Sequence, residues 1–185
     1  MWKEQYNYDY VYVINEFMGE TECDEFIQMA ESTGFQDAPI TTSRGPIINK
    51  QFRNNDRLMF EDNSLAANLW NRAEPWVIKR WRGKKAIGLN ERFRFYRYEP
   101  GQRFAPHYDG HFDRENGERS EFTFLLYLND NFEGGATGFF TPEPYIVTPK
   151  KGSLLLFHHP QLHEGAEVER GTKYVLRSDV MYTKE

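Results

Sequence analysis

Three side chains with the chemistry of metal ligands lie in the C-terminal half of the sequence. His107 and Asp109 are separated by one residue, and His163 follows much later in the chain. Residues i and i+2 of an extended strand point to the same face, so His107 and Asp109 could bind one ion together. Two imidazoles and one carboxylate on one side of an ion leave the opposite coordination positions open. The spacing alone is weak evidence, because a His-x-Asp pair also occurs by chance as a surface hydrogen bond.

Several ordered motifs surround these three residues. They are the run RFYRYEPGQRFAPHYD over residues 94–109, Tyr127-Leu-Asn129, Gly134-Gly-Ala-Thr137, Pro149-Lys-Lys-Gly152-Ser-Leu-Leu-Leu-Phe157, and His163 followed ten residues later by Lys173. Over roughly residues 90–182 this series resembles the prolyl 4-hydroxylase branch of the 2-oxoglutarate/Fe(II) oxygenases. Several motifs in order are far more specific than His-x-Asp alone.

The resemblance implies a double-stranded β-helix enzyme that uses Fe(II), 2-oxoglutarate and O2. It implies that His107, Asp109 and His163 bind the metal and are catalytic. The reaction it implies is hydroxylation of a substrate, such as a prolyl residue, with succinate and CO2 as co-products. In the family a basic residue on the last core strand binds the distal carboxylate of 2-oxoglutarate, and Lys173 matches that position.

Other residues are implied in binding of 2-oxoglutarate. Tyr127 matches a family tyrosine that hydrogen-bonds the distal carboxylate, and Tyr98 matches one near the iron and the keto acid, although either could be a packed aromatic side chain. Arg177 is expected on the same strand and face as Lys173, and its planar guanidinium suits a carboxylate better than an ammonium does. Arg177 could instead pair with Asp179 or contact the substrate, and Lys173 could be a solvated lysine. The family spacing favours Lys173.

Other histidines leave alternatives for the ligand set. His111 continues an alternating pattern after Asp109, and His158 and His159 closely precede His163. Each could be a ligand or lie beside the site. Two further classes of protein could use the same triad, namely a non-catalytic metal-binding β-helix protein and a zinc hydrolase. Iron-dependent production of succinate distinguishes the three.

A long polar segment over residues 38–57 is the candidate cover of the substrate site. It contains Gly45 and Pro46 and is too long and irregular for an ordinary connection. We expect a mobile loop or ribbon whose Arg44, Arg53 and Arg57 contact the substrate, with a solvated polar loop as the alternative.

The elements that must position these residues are mainly strands. The apolar and aromatic runs at 11–14, 92–98, 122–128, 146–148, 154–157 and 173–182 predict strands. A helix is expected to open at Thr21 and close at Gly34, and a second helical stretch begins near residue 63 and is broken or divided by Pro75. The fold class is therefore mainly β (α+β), a double-stranded β-helix (jelly-roll) core with supporting N-terminal helices. We expect one domain over residues 1–185, with helical support over about 1–90 and the core over about 91–182.

Composition restricts the class of partner. The chain is 39% hydrophobic and 28% charged, and no run approaches the roughly 20 apolar residues of a membrane span. Its net charge is −5 and no stripe of Lys and Arg dominates, so nucleic acid is disfavoured. We expect a monomer that acts on a protein, a peptide or a small molecule. The polar N-terminus and the single Cys23 predict a cytoplasmic location.

Overall fold

A computed structural model describes residues 1–6, 10–42 and 45–184. Within these residues the elements, in chain order, are β1 (Trp2–Tyr6), β2 (Val11–Asn15), α1 (Glu20–Thr33), β3 (Gln36–Asp37), β4 (Ile40–Thr42), β5 (Gly45–Ile47), β6 (Asp56–Glu61), α2 (Asn63–Ala73), β7 (Arg80–Trp81), β8 (Lys84–Leu89), β9 (Arg92–Tyr98), β10 (Phe104–His107), β11 (Arg119–Tyr127), β12 (Glu133–Gly134), β13 (Thr137–Phe139), β14 (Tyr145–Val147), β15 (Leu154–His158), β16 (His163–Gly165), β17 (Val168–Arg170) and β18 (Lys173–Tyr182).

The large antiparallel sheet is built on the long strands β9, β11 and β18. Its strands run in the order β1-β2-β15-β11-β18-β9-β6-β3, and β8 extends it by pairing with β18 and β7. Strands from the first 90 residues therefore belong to the same sheet as the strands of the C-terminal half. The N-terminal segment contributes strands to the sheet as well as helical support.

A smaller sheet packs against one face of the large one. It has the order β10-β16-β13-β14, and all of its pairs are antiparallel. Side chains of both sheets meet in one apolar cluster, which includes Tyr96 and Leu155 from the large sheet and Phe139 and Val147 from the small one. Two facing antiparallel sheets with a packed interior form the predicted jelly roll.

Both faces of the large sheet are covered, and side chains alternate between them. In β18, Val175 faces the small sheet, whereas Leu176 and Val180 belong to the cluster beneath the helices. In β9, Phe93 and Phe95 lie in that same helix-side cluster. Because both faces are buried, successive residues of a central strand can both be apolar, as Val175 and Leu176 of β18 are.

The two helices fit the predicted positions, with one correction. Helix α1 begins at Glu20, with Gly19 as its N-cap and no side-chain cap, so the expected start at Thr21 was wrong by one residue. Helix α2 is capped by Asp62, whose carboxylate accepts from the backbone of Leu65 at 2.9 Å, and it ends at Ala73, before Pro75. No helix in the described part of the chain is long and apolar enough to span a membrane.

The polar segment over residues 38–57 contains the hairpin of β4 and β5. Ile40 pairs with Ile47 and Thr41 with Pro46, so this part is a ribbon. Arg53, farther along the segment, is buried and its backbone bridges to Phe104. A solvated polar loop was therefore the wrong alternative for this residue. Arg44 lies outside the described residues.

Candidate metal centre and adjoining cavities

The three predicted ligands meet where β10 leaves the small sheet. His107 is the last residue of β10 and pairs directly with His163, the first residue of β16. Asp109 follows the end of β10, so the expectation of one continuous strand through both residues was wrong. The backbone amide of Asp109 donates to the carbonyl of His159 at 3.2 Å, which fixes this turn.

The ligand atoms of these side chains converge. One atom from each of His107, Asp109 and His163 lies within 4.8 Å of the other two. His107 Nε2 is 3.7 Å from Asp109 Oδ1, and His163 Nε2 is 3.7 Å from Asp109 Oδ2. The cluster is nearly closed to solvent, since the side chain of Asp109 is only 4% exposed.

Both histidines are oriented through their other ring nitrogen. Nδ1 of His107 lies 2.8 Å from the carbonyl of Ala105, and Nδ1 of His163 lies 2.9 Å from the carbonyl of Gln161. A carbonyl only accepts, so each contact requires the proton on Nδ1. The lone pair of each Nε2 is then free to bind a metal ion.

The protonation states suit a divalent cation. Burial, followed by the nearby His163, lowers the pKa of His107 to about 3. Burial also lowers the pKa of His163. Burial alone would raise the pKa of Asp109, but the charges of Arg177 and the two histidines outweigh it and hold that pKa below its usual value. The group therefore offers two neutral imidazoles and one carboxylate near neutral pH.

Both oxygens of Asp109 receive hydrogen-bond donors from the large sheet. Arg177 Nη1 lies 2.7 Å from Oδ1, and the hydroxyl of Thr123 donates to Oδ2 at 2.6 Å. Thr123 was not among the residues predicted from the sequence. Thr123 lies between the apolar Phe122 and Phe124 of β11, so its side chain points to the opposite face of the sheet, where the site is. This alternation is visible in the sequence.

Lys173 lies in the same narrow cavity as the three ligands. This cavity is lined by Tyr98, His107, Asp109, Thr137, His163, Lys173 and Arg177, among others. Lys173 is buried, and its Nζ donates to the carbonyl of Gly135 at 2.6 Å. Within the described residues, no carboxylate lies within ion-pair distance of this ammonium. Burial lowers the pKa of Lys173 to about 7.

The two predicted tyrosines occupy different positions. Tyr98 lines the cavity, with its ring centroid 5.1 Å from Lys173 Nζ. Tyr127 lies behind the lining, because its hydroxyl hydrogen-bonds the hydroxyl of Thr137 at 2.7 Å. Thr137, which does line the cavity, was missed as a site residue. Its place in the Gly134-Gly-Ala-Thr137 motif was the available signal.

Arg177 is engaged with carboxylates of the protein. Besides Asp109 it contacts Asp179, with Nη2 3.3 Å from Oδ1. Pairing with Asp179 was one of the predicted alternatives. This arrangement leaves Lys173 as the buried cation of the cavity without a carboxylate partner in the described part of the chain.

The other histidines lie outside the cluster of ligand atoms. The ring of His159 is held at both nitrogens, 2.9 Å from Ser120 Oγ and 3.0 Å from Thr123 Oγ1. His111 pairs with Asp113 at 3.3 Å, with half of its side chain exposed. His158 packs against Trp81, with ring centroids 4.6 Å apart.

A larger cleft of about 490 Å³ adjoins the cluster from the side of the hairpin. Its lining shares His107, Asp109 and Arg177 with the narrow cavity. The predicted substrate residues Arg53 and Arg57 both line it. The remaining lining residues are Pro39, Ile40, Phe52, Arg94, Tyr96, Phe104, Tyr108, Gly110 and His111.

Comparison with known proteins agrees with this architecture. Residues 93–178 match the family model described as the 2OG-Fe(II) oxygenase superfamily. A probable prolyl 4-hydroxylase 7 of Arabidopsis thaliana is 24% identical over 195 residues, which cover 89% of this chain and 60% of the relative. The chain thus spans about three fifths of the length of that relative.

Two solved structures share the fold. A viral collagen prolyl hydroxylase from Paramecium Bursaria Chlorella virus-1, in complex with 2OG, has a TM-score of 0.68 and 20% identity, covering 96% of this chain and 98% of that one. A prolyl hydroxylase from Trichoplax adhaerens, in complex with a hypoxia inducible factor peptide fragment, has a TM-score of 0.72 and 19% identity, covering 94% and 84%. Residues 93–178 are thus similar to the 2OG-Fe(II) oxygenase superfamily, and the chain shares its fold with proteins described as prolyl hydroxylases.

Proposed function

We propose that this protein is an Fe(II)- and 2-oxoglutarate-dependent dioxygenase that hydroxylates its substrate. One observation carries the proposal: the buried ligand set of His107, Asp109 and His163 shares a cavity with a buried lysine that has no carboxylate partner among the described residues. A structural metal site would account for the three ligands but not for Lys173, because burying an ammonium without a counter-ion is costly.

The donor set fits Fe(II). Two neutral imidazole nitrogens and one carboxylate are the ligands of the facial arrangement of non-haem iron oxygenases, and they leave other positions open. Bound there, Fe(II) with 2-oxoglutarate and O2 supplies the oxidising chemistry, in which the substrate gains a hydroxyl group and 2-oxoglutarate becomes succinate and CO2.

The residues of the chain hold, orient and shield these groups. The Ala105 and Gln161 carbonyls fix the tautomer of the two histidines, and Thr123 and Arg177 fix the Asp109 carboxylate. Lys173 in its protonated form would bind the distal carboxylate of 2-oxoglutarate through a charge-assisted hydrogen bond. Tyr98 lines the cavity that holds Lys173 and the ligands, and its hydroxyl would donate a hydrogen bond to the keto acid.

The substrate site is assigned to the larger cleft, because it opens onto the ligand cluster and has a volume typical of ligand pockets. Arg53 and Arg57 are the proposed contacts. Relatives named as prolyl hydroxylases make a prolyl residue of a peptide the first substrate to test. A cytoplasmic, monomeric, single-domain protein remains the expectation, and the lone buried Cys23 suits a reducing compartment.

The test is turnover of 2-oxoglutarate by protein loaded with Fe(II) under anaerobic conditions and then exposed to O2. We expect succinate in stoichiometric amounts with CO2, and a Lys173→Met variant should need a much higher concentration of 2-oxoglutarate. Zn(II)-loaded protein is the control and should give no succinate. Iron binding without any succinate would indicate a non-catalytic metal protein, and hydrolysis by the Zn(II) form would indicate a hydrolase.

A further inference from the structure

The larger cleft beside the metal centre has an unusual concentration of arginine. Arg53, Arg57, Arg94 and Arg177 all line it, and among the described residues Asp109 is the only carboxylate in the lining. Their placement is set by the register of the sheet. Arg177 of β18 lies directly opposite Arg94 of β9, which in turn lies opposite Met59 of β6, two residues from Arg57. Residues that are directly opposite or two apart share a face, so three arginines from three neighbouring strands point into one cleft.

The protein neutralises only half of this charge. Asp179 forms ion pairs with Arg94, at 3.2 Å, and with Arg177, at 3.3 Å. Asp109 forms one with Arg177 at 2.7 Å. Among the residues that the structure describes, no carboxylate lies within ion-pair distance of Arg53 or Arg57. Four guanidinium groups therefore face two carboxylates, and two positive charges are left over.

Arg53 is buried and incompletely bonded. It is 6% exposed, it stacks on the rings of Tyr96 and Phe104 at 4.6 and 4.3 Å, and its Nε donates to Asn55 at 2.8 Å. Its Nη2 and the Nε of Arg177 have no hydrogen-bond partner among the described residues. A buried donor without a partner is destabilising, so a ligand that brings an acceptor to these groups would be bound favourably.

The pKa shifts of two side chains in the cleft also indicate a positive electrostatic environment. Burial would raise the pKa of Tyr96, which lies between these arginines, yet the charges of Arg177, Arg53 and Arg94 outweigh burial and lower it. The pKa of Arg57 is lowered by burial and by its neighbours Arg53 and Arg94, with Tyr96 opposing. Glu164 borders only the narrow cavity and does not neutralise the cleft.

We propose that the cleft selects a substrate with an anionic group, a carboxylate or a phosphate, close to the carbon that is hydroxylated. The inference rests on the proposed function, and it adds the charge of the substrate to it. Arg177 contacts Asp109, so an anion bound between Arg177 and Arg57 would lie beside the metal ligands. The planar, multiply donating guanidinium suits both carboxylates and phosphates.

Direct binding tests the proposal independently of turnover. The probes are blocked pentapeptides centred on proline, in which the residue before proline is glutamate, glutamine or phosphoserine, together with free L-proline and L-prolinamide. Binding is measured calorimetrically with the Mn(II)-loaded and the metal-free protein. The glutamate arm tests a side-chain carboxylate, the phosphoserine arm a phosphate, and the free amino acid a main-chain carboxylate.

At least one anionic probe should bind roughly tenfold or more tightly than its neutral counterpart, as expected for a charge-assisted hydrogen bond. Added salt should reduce this difference in affinity between the anionic and neutral probes. Arg57→Gln should remove most of it and Arg57→Lys should retain part, provided that both variants keep the wild-type circular dichroism and thermal midpoint. Arg103→Gln, an exposed arginine outside the cleft, is the matched control and should keep the full difference.

Two results would overturn the proposal. One is that every anionic probe binds no more tightly than its neutral counterpart. The other is that the difference survives undiminished in Arg57→Gln. Turnover of 2-oxoglutarate without any substrate is measured on the same wild-type preparation, so a failed anion preference with normal succinate production leaves the proposed function intact.

Discussion

At the scale of single residues, the ligand set makes the most direct prediction. His163→Ala should abolish tight Fe(II) binding, because two remaining ligands cannot replace a buried imidazole whose Nε2 points at the cluster. Iron content after anaerobic loading and desalting measures the effect. His158→Gln is the control and should load normally, since His158 packs on Trp81 away from the cluster. Full loading of His163→Ala would contradict the assignment.

Lys173 predicts how binding of 2-oxoglutarate depends on pH. Its pKa is lowered to about 7 by burial, so above that pH the amine is mostly neutral and must take up a proton to bind a carboxylate. The Kd for 2-oxoglutarate should therefore be level below about pH 6 and increase above pH 7, by up to about tenfold per pH unit. Anaerobic titration of the Fe(II) protein between about pH 6 and 9 measures this dependence.

The matched variant for this pH dependence is Lys173→Met, which keeps the length of the side chain without the charge. It should bind 2-oxoglutarate weakly, with a Kd that no longer increases over the same interval. A wild-type Kd that stays level above pH 7 would show that Lys173 keeps its proton without the ligand.

At the scale of elements, Gly152 makes a prediction about the turn before β15. Its φ is +76°, and an added Cβ would lie 2.2 Å from the carbonyl oxygen of Met18. Gly152→Ala should therefore cost about 2–4 kcal/mol of unfolding free energy, through a clash with backbone that cannot move aside cheaply. Gly101 is the control. It has φ +81° with open space around it, so Gly101→Ala should cost only about 1 kcal/mol. Chemical denaturation measures both, and equal losses would contradict the steric cause.

The sequence predicted the long elements well and the short ones poorly. β9 and β18 have the expected bounds, and α2 ends before Pro75 as expected. Strands such as β12 and β17 were missed. Two or three residues are too few to show the hydrophobic periodicity of a strand, and their extended conformation depends on the partner strand. The three residues that cluster here, His107, Asp109 and His163, could be predicted together because the order of the motifs along the chain was informative. The concentration of arginine in the cleft was predicted only in part: Arg53 and Arg57 were expected there, whereas Arg94 joins them through a strand register that the sequence does not show.

At the scale of the whole molecule, the hairpin of β4 and β5 predicts protection by ligands. Pro39 and Ile40 line the cleft, so a bound substrate would contact the base of the hairpin and reduce its opening. Trypsin cleavage after the exposed Lys50 should become slower when metal, 2-oxoglutarate and substrate are all present. Cleavage after Arg170, which is outside both cavities, is the internal control and should be unchanged. Equal rates at Lys50 with and without ligands would contradict a covering role for this segment.

The double contact of Arg177 couples two binding equilibria. Its guanidinium lies on Asp109 and also lines the cleft, so in the metal-free protein part of its charge is used to neutralise that carboxylate. A divalent cation at the ligand cluster would take over the neutralisation and leave Arg177 more available to an anion. Metal binding and anion binding should then be positively cooperative, and thermodynamic linkage requires the same factor in both directions. Such cooperativity would impose an order of assembly, in which the protein retains an anionic substrate well only after the metal is in place.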